Sequence, residues 1–217
     1  MPAARSSASP RRARARRGEG ARLREEILAA ATRLLAETDD EEAVSIRAVA
    51  EAVGVTPPSI YLHFADKTEL IFAVCEEQFR QLDAEMMAAE AGVDDPVEAL
   101  RRRGRAYVRF GLRNAEAYRV LFMYKDHVPE GVDDQYLYRS ETFNHLVESV
   151  QRCLDAGAFR PGDPLQISVG LWVMVHGITS LLLAAPTFPW PDEPTELVDH
   201  LITDHLQGLL PRTPPGP

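Results

Sequence analysis

Tyr61, Leu62 and His63 lie between two apolar residues, Ile60 and Phe64, that are spaced for one face of a helix. At about 100° per residue, Ile60 and Phe64 point into a core and Leu62 points the opposite way. An exposed leucine beside a phenol and an imidazole suits a partner that offers both methyl groups and hydrogen-bonding edges. The DNA major groove is such a partner, and it is wide enough for one helix.

The residues around this triplet fit the same interpretation. Pro58 falls on the side of Leu62, with Ser59 next to both. Tyr61 and His63 would stand where the walls of the groove are, so both side chains could donate to phosphate oxygens. Contacts of that kind fix the register of a protein on DNA rather than its sequence preference.

Two cations occupy an unusual place, the first turn of a helix. Lys67 lies there in the fourth predicted helix and Arg47 in the second. A helix N-terminus is already positive, and a bound phosphate would resolve the conflict. Each of these features alone fits a helical hairpin with a few surface aromatics. Together with a basic segment upstream, they favour DNA.

The basic segment makes the charge of the chain uneven. Residues 1–22 carry seven arginines and one acid, a net +6, so a total of −9 leaves −15 for the rest. A basic arm on an acidic body most often seeks phosphate. Its composition predicts that residues 1–20 are disordered in the free protein, and we expect the same of the tail, residues 212–217. The basic arm has no apolar stretch of the kind that a secretory signal needs, although an organellar leader is an alternative interpretation of the arm.

Apolar spacing after the arm predicts an all-α chain of about nine helices. The predicted N-caps are Ser45, Thr56, Asp66 and Asp95, and Glu98 is expected to reach back to its cap. A three-helix unit over 21–66 precedes a larger helical body over 67–211. Residues 169–185 form the one stretch that resembles a membrane span, but they are too few and too polar. We predict a buried helix there and no membrane partner.

Aromatic and apolar side chains of the larger body must pack together. Most are expected to be core, and some could line an apolar cavity for a small effector. The candidate ligand-binding residues are Tyr107, Phe110, Phe122, Met123, Phe143, Trp172 and His176. The arginines at 101, 102, 103, 105, 109 and 113 are expected on a solvated or salt-bridged face, with an anionic effector or the DNA-binding unit as alternative partners.

Signals for catalysis are missing from the sequence. It contains no HExxH, no GxSxG and no Cys/His pair at the spacing of a metal site. The sequence therefore predicts no metal, no cofactor and no enzyme activity. A helical enzyme that uses the scattered histidines stays an alternative, as does an imported interaction protein.

The stretch SIRAVAEAVGVTPPSIYLHFADKTEL resembles the helix-turn-helix of the TetR family of bacterial repressors. The shared features are Ser45, Ala50, the turn Gly54–Thr56, the run Tyr61–Phe64, Lys67 and Leu70. The resemblance implies that backbone phosphates are held by Ser45, Arg47, Tyr61, His63 and Lys67. It implies that bases face Pro57, Pro58, Ser59 and Leu62, and that Thr56 of the turn also belongs to the DNA-binding surface. Two successive prolines depart from the usual pattern, which leaves the sequence preference open.

A second resemblance covers the larger body. Trp172, His176 and Gly177 are similar to the signature of a TetR subgroup with a Trp-His-Gly type C-terminal domain. The family implies a cytoplasmic bacterial homodimer formed by the last two helices and a palindromic operator. The DNA-binding units of the two protomers would lie about 34–36 Å apart. It also implies repression that a small-molecule effector releases. The arginines of the arm would enter a minor groove or add electrostatic attraction.

Overall fold

The computed structural model describes residues 19–38, 44–122, 141–190 and 193–211. These residues form nine helices and no strand, which confirms the predicted all-α class. The helices are α1 (Glu19–Thr38), α2 (Ile46–Val53), α3 (Pro57–Ile60), α4 (Lys67–Glu90), α5 (Pro96–Arg113), α6 (Ala115–Phe122), α7 (Glu141–Asp155), α8 (Pro164–Ala184) and α9 (Pro194–Gln207). Most of the predicted arm, the predicted tail and Met123 lie outside the described residues, whereas Glu19 and Gly20 belong to α1.

The described residues form two compact units. The first contains residues 19–38, 44–77 and 119–122, and the second contains 78–118, 141–190 and 193–211. The division falls inside α4, and the boundary predicted near Asp66 falls at the start of that helix.

The core of the first unit is built from short amphipathic helices. Ser45 caps α2 with a hydroxyl that accepts from the amide of Ala48 at 3.1 Å. Gly54 ends α2 in the left-handed region, at φ +76°, where a residue without Cβ is favoured. The buried side chains that meet here include Ile27, Ala31, Val49, Ala50, Ile60, Phe64, Leu70 and Ile71.

The start of α4 is fixed by a reciprocal cap. The Asp66 carboxylate accepts from the amide of Glu69 at 2.8 Å, and the Glu69 carboxylate accepts from the amide of Ala65. Two otherwise unpaired backbone donors are thereby satisfied. The cap sets where Lys67 stands, in the first turn of the helix.

The capping predicted for α5 is half correct. The Asp95 carboxylate accepts from the amide of Val97 at 2.9 Å, as an N-cap does. The carboxylate of Glu98 instead accepts from Arg101 at 3.2 Å and from Arg102 at 3.0 Å. Two guanidinium groups one turn ahead offer charge-assisted bonds that a single amide does not.

The second unit surrounds α5 and α8. α5 packs against α7, α8 and α9, and α8 also packs against α7 and α9. By length and composition, α8 is the one helix in the described part of the chain that could cross a membrane. A core helix of a soluble protein passes the same test, and one face of α8 is buried, with Leu171, Val175 and Ile178 among its residues.

Candidate nucleic-acid interface and ligand site

The helix that follows α2 is shorter than the sequence predicted. α3 has four residues, and the chain continues as a turn instead of reaching Phe64 as helix. The carbonyl of Ile60 accepts from both His63, at 2.9 Å, and Phe64, at 3.1 Å. The bond to His63 spans three residues, which tightens the chain in the manner of a 3₁₀ turn. We call residues 56–64 the reading turn.

The reading turn separates its side chains as predicted. Ile60 and Phe64 are buried at 0% and 1% exposure, whereas Leu62 is 84% and Tyr61 53% exposed. Thr56 and Pro58 are also exposed, and the remaining members, Pro57, Ser59 and His63, are half-buried. Two buried side chains therefore anchor a surface on which a leucine and a tyrosine stand out.

Thr56 occupies the N-cap position of α3 without capping it. Its backbone is extended, but its hydroxyl makes no bond to a backbone amide. Pro57 and Pro58 have no N–H, and the amide of Ser59 donates to the Thr56 carbonyl at 2.8 Å. The Thr56 hydroxyl lies 3.2 Å from that of Ser59 instead. The two hydroxyls form a polar pair on the exposed side of the reading turn.

Three more of the predicted DNA-binding residues stand at helix starts. Ser45 is exposed, and while its oxygen caps α2 its O–H remains a donor. Arg47 is exposed in the first turn of α2, and Lys67 is half-buried in the first turn of α4. Donors and cations next to positive helix ends are suited to phosphate oxygens.

The start of α1 lies beside the reading turn, which the sequence did not predict. A Cβ added at Gly20 would lie 4.0 Å from Cε1 of His63. One turn later, the guanidinium carbon of Arg24 lies 5.1 Å from the ring centroid of Phe64. At that distance a cation over an aromatic face is attractive. α1 thus contacts the reading turn at Phe64.

In the second unit, two tyrosines converge on a histidine of α8. The hydroxyl of Tyr118 lies 2.7 Å and that of Tyr107 3.1 Å from Nδ1 of His176. The two hydroxyls are 3.4 Å apart, and the Tyr118 and His176 rings stack at 5.6 Å between centroids. These side chains couple α5, α6 and α8 through hydrogen bonds in an otherwise apolar interior.

The ionisation of this group follows from its burial. Burial, followed by the neighbouring Tyr118, raises the pKa of Tyr107 well above its ordinary value. Burial likewise raises the pKa of Tyr118 and lowers that of His176. The desolvated charged form is disfavoured in each case. All three side chains are therefore neutral near pH 7, and Nδ1 of His176 can accept from a phenol.

Two further predicted ligand residues join this group. The Trp172 ring lies 5.4 Å from that of His176, and Phe143 meets Trp172 edge-on at 6.2 Å. We call Tyr107, Tyr118, Phe143, Trp172 and His176 the ring cluster. Of the other candidates, Phe110 is buried in α5, Phe122 is half-buried in the first unit, and Met123 is not described.

The sequence missed Tyr118 and Ser180 in this group. The Tyr118 hydroxyl lies 3.4 Å from Oγ of Ser180, which is one helical turn beyond His176. The spacing of Trp172, His176 and Ser180, four residues apart, already put a polar stripe on one face of α8. Nothing in the spacing of Tyr118 identified its partner, because the partner is 58 residues away.

Most of the α5 arginines bind carboxylates, which fits the predicted salt-bridged face. Arg105 pairs with Asp199, and Arg113 pairs with Glu85. Arg103 is a correction, because it is buried at 2% exposure rather than on a solvated face. It binds Glu90, the Asp83 carboxylate at 3.3 Å and the Thr142 carbonyl at 3.2 Å. Pairing of this kind is what makes a buried guanidinium tolerable.

Two other features of the second unit bear on ligands. A solvent-open cleft of about 600 Å³ lies where α7 leads into α8, lined among others by Phe159, Arg160 and Pro211. It shares no residue with the ring cluster, and nothing in the sequence indicated it. Within the described ranges, no group of three or more His, Cys, Asp or Glu side chains could hold a metal ion.

Two family models match this chain. One, described as "Bacterial regulatory proteins, tetR family", matches residues 27–74, and the other, "Tetracyclin repressor-like, C-terminal domain", matches residues 100–205. The first match contains the whole reading turn, and the second contains the ring cluster. No curated protein matches the chain.

Several solved structures share the fold. A protein of unknown function from Rhodococcus sp. RHA1 is 27% identical with a TM-score of 0.75, over 87% of this chain and 96% of that one. A TetR family transcription regulator from Marinobacter aquaeolei VT8 is 19% identical with a TM-score of 0.69, over 89% and 98%. The TetR family transcriptional regulator PfmR from Thermus thermophilus is 24% identical with a TM-score of 0.63, over 83% and 97%. The helical arrangement is therefore shared across these proteins.

Proposed function

Because the chain belongs to the TetR family of bacterial regulatory proteins and is a DNA-binding transcription regulator, we propose that it is a ligand-released repressor. In this proposal a cytoplasmic homodimer binds a palindromic operator, and a small molecule bound in the second unit releases it. The observation that carries the proposal is the reading turn, where buried Ile60 and Phe64 hold Leu62 out at 84% exposure.

The exposed side of the reading turn supplies the base contacts. Leu62 and Pro58 offer apolar surface to thymine methyl groups, and the hydroxyl of Ser59 offers a donor and an acceptor to base edges. A lone exposed leucine between polar neighbours is costly to keep in water and is buried when the turn enters the groove. Sequence preference therefore depends on these three residues.

Phosphate contacts come from the edges of the same surface. Tyr61 and His63 flank Leu62, and the helix starts add Ser45, Arg47 and Lys67. Each of the five carries an N–H or O–H donor, and two are permanently cationic. We expect these residues to set affinity and orientation, and to give little discrimination between sequences.

The homodimer forms through the outer face of α8 and part of α9. Leu165, Val173 and Leu181 of α8 are 50%, 58% and 55% exposed, and Leu201 of α9 is 36% exposed. α8 thus has apolar side chains on two opposite sides, one buried in the second unit and one exposed. An exposed apolar face of this kind marks an interaction surface. A second copy of the same two helices would cover it and give the two-fold symmetry of a palindrome.

The ring cluster is our candidate for the effector site. Its surfaces are aromatic, its three polar side chains are neutral near pH 7, and the nearby Arg103 is already bound by carboxylates. An effector held there would be uncharged and would compete for the hydroxyls of Tyr107 and Tyr118. The effector can release DNA only by binding more tightly to the form of the dimer whose two DNA-binding units are wrongly spaced for the operator.

Binding measurements on full-length protein test the proposal. The probe is a 40-bp duplex recovered by the protein from a random-sequence library, compared with an unselected duplex. Leu62→Ala should cut discrimination about tenfold, since a good base contact contributes about 1–3 kcal/mol. Lys67→Ala should weaken both duplexes alike and lower the log–log salt slope by about 0.9.

Leu210→Ala is the matched control, because Leu210 is 39% exposed but belongs to the second unit and not to the reading turn. It should bind both duplexes as the wild type does. The proposal fails if no duplex is selected, or if Leu62→Ala discriminates as well as Leu210→Ala while both variants keep the wild-type melting temperature.

A further inference from the structure

The solvent-open cleft where α7 leads into α8 takes no part in the proposed function. Its volume of about 600 Å³ lies inside the range of small-molecule sites, roughly 300–1,000 Å³. It shares no residue with the ring cluster or with the reading turn, so a molecule bound in it would be a second ligand. The backbone and the side chains around the cleft decide which molecule fits.

The backbone around the cleft is fixed at several points. Gly157 follows α7 in the left-handed region, at φ +65°, and turns the chain away from the helix axis. Phe159 anchors the next residues, because its side chain is only 3% exposed. The amide of Arg160 then donates to the carbonyl of Leu209, just after α9, at 2.9 Å. The shape of the cleft is therefore set by the fold of the second unit itself.

Much of the lining is apolar. It includes the half-buried Leu154, the buried Phe159 and the three prolines Pro161, Pro164 and Pro211. A proline ring has almost no rotamer freedom to lose, so a ligand that packs against it orders it at little entropic cost. The apolar part of a small molecule, such as an aromatic ring, suits this surface.

One cation belongs to the lining. Arg160 is exposed, and within the described ranges its guanidinium makes no hydrogen bond or ion pair. Two carboxylates close to it in sequence have other partners. Asp163 accepts from the amide of Leu165 at 2.9 Å, and Asp155 accepts from Nε2 of Gln151 at 2.8 Å. A guanidinium presents a planar fork of donors that matches the two oxygens of a carboxylate.

Asp155 limits the charge of a ligand. Its carboxylate also lines the cleft, so it repels an anion, and it repels a multiply charged anion more than a singly charged one. We propose that the cleft binds small monocarboxylates with an apolar body, with the carboxylate on Arg160 and the body against the prolines. The site goes beyond the proposed function and does not depend on DNA binding.

The experiment titrates phenylacetate into the full-length protein, with the uncharged phenylacetamide as the matched ligand. Binding is followed at pH 7.5 through the proton–nitrogen NMR shifts of the backbone amides over 151–164. The variants are Arg160→Gln and Arg160→Lys. Arg109→Gln is the control, because Arg109 is also exposed and without a printed side-chain partner in the described ranges, but lies on α5 outside the cleft.

Phenylacetate should shift the amides of the cleft until they saturate, and phenylacetamide should bind at least about tenfold more weakly, because charge-assisted hydrogen bonds are lost. Arg160→Gln should weaken phenylacetate by a similar factor and leave phenylacetamide unchanged. Arg160→Lys should fall between the wild type and Arg160→Gln, since lysine keeps the charge without the fork. Arg109→Gln should bind both molecules as the wild type does.

Three results would overturn the inference. One is the absence of a saturable shift in the cleft at any soluble concentration of phenylacetate. Another is an Arg160→Gln protein that binds phenylacetate as tightly as Arg109→Gln does, with both variants melting at the wild-type temperature. The third is a set of shifts confined to the ring cluster, which would place the acid there instead. None of these measurements involves DNA, so each leaves the proposed repressor function to its own test.

Discussion

The two units use tyrosine and histidine in opposite ways. In the first, Tyr61 is 53% exposed and His63 half-buried, and both flank an exposed leucine. In the second, Tyr118 is fully buried, and its hydroxyl lies 2.7 Å from a ring nitrogen of His176. The same phenol and imidazole groups lie at or near the surface in one unit and are paired with each other in the other.

The difference comes from the core space and the hydrogen-bond partners that the surrounding backbone makes available to each tyrosine. In the reading turn, Ile60 and Phe64 already fill the core, so Tyr61 has no interior to enter. In α6, Tyr118 faces α5 and α8, where an unpaired hydroxyl would be costly. The residue type therefore determines which interactions a side chain can make. Its burial and its hydrogen-bond partners determine which of those interactions it does make.

Replacing Tyr118 and Tyr61 with alanine, one at a time, should give the largest difference in stability between the two units. Tyr118→Ala removes a fully buried aromatic ring and should lower the free energy of unfolding by about 3–5 kcal/mol. Tyr61→Ala removes an exposed ring and should change it by less than about 0.5 kcal/mol, while weakening DNA binding. Urea unfolding at one fixed protein concentration measures the first effect, and anisotropy on the selected duplex measures the second.

Tyr118→Phe separates packing from hydrogen bonding in this experiment. It keeps the ring and should cost about 1 kcal/mol, the usual net contribution of one hydrogen bond. Equal losses for Tyr61→Ala and Tyr118→Ala would contradict the comparison, because they would mean that the exposed tyrosine is as much a part of the core as the buried one.

Glycine substitutions should give a smaller contrast of the same kind. A Cβ at Gly111 would overlap Cγ2 of Thr179 and lie 3.0 Å from the Tyr118 ring, and Thr179 is itself held by a hydrogen bond to the Val175 carbonyl. Gly111→Ala should therefore cost about 1–3 kcal/mol of unfolding free energy. In the first unit, Gly20→Ala meets only His63, at ordinary contact distance, and should be neutral or add up to about 1 kcal/mol.

Thermal unfolding of the two glycine variants at matched concentration measures this contrast. A Gly111→Ala protein as stable as Gly20→Ala would show that the neighbours of Tyr118 can move aside, so that the ring cluster is loosely packed.

Local patterns predicted the first unit well. The cap at Ser45, the break at Gly54 and the inward pair Ile60 and Phe64 all depend on residues within one or two turns of each other, so spacing alone identifies them. The length of α3 was not predictable in the same way. Two prolines start the helix, but it ends where the Ile60 carbonyl accepts from both His63 and Phe64, and Phe64 is held in a core built from several helices.

The second unit depends on contacts that are distant in sequence. Arg103 was predicted on a solvated or salt-bridged face, and it is salt-bridged but buried, because Glu90 and Asp83 of α4 reach it across 13 and 20 residues. His176 was among the candidate ligand-binding residues, but its partner Tyr118 was not. Helical periodicity reports which face is inside, and it does not report which polar side chain meets which.

The smallest expected effect is a difference in pH dependence that isolates His176. Burial lowers the pKa of this imidazole below its ordinary 6.5 in the folded protein. As the pH falls through 6.5, the unfolded chain takes up a proton that the folded chain does not, so acidification lowers stability until the folded pKa is reached.

His176→Gln removes this pH-dependent loss of stability. The melting temperature of the variant should therefore fall less than that of the wild type between pH 7.5 and pH 5.5. His205, whose pKa is also lowered by burial, should behave likewise when replaced by Gln. Parallel melting curves for the wild type and His176→Gln would mean that the ring cluster admits a charged imidazole. The contrast with Tyr61 and His63 of the reading turn would then be one of packing without desolvation.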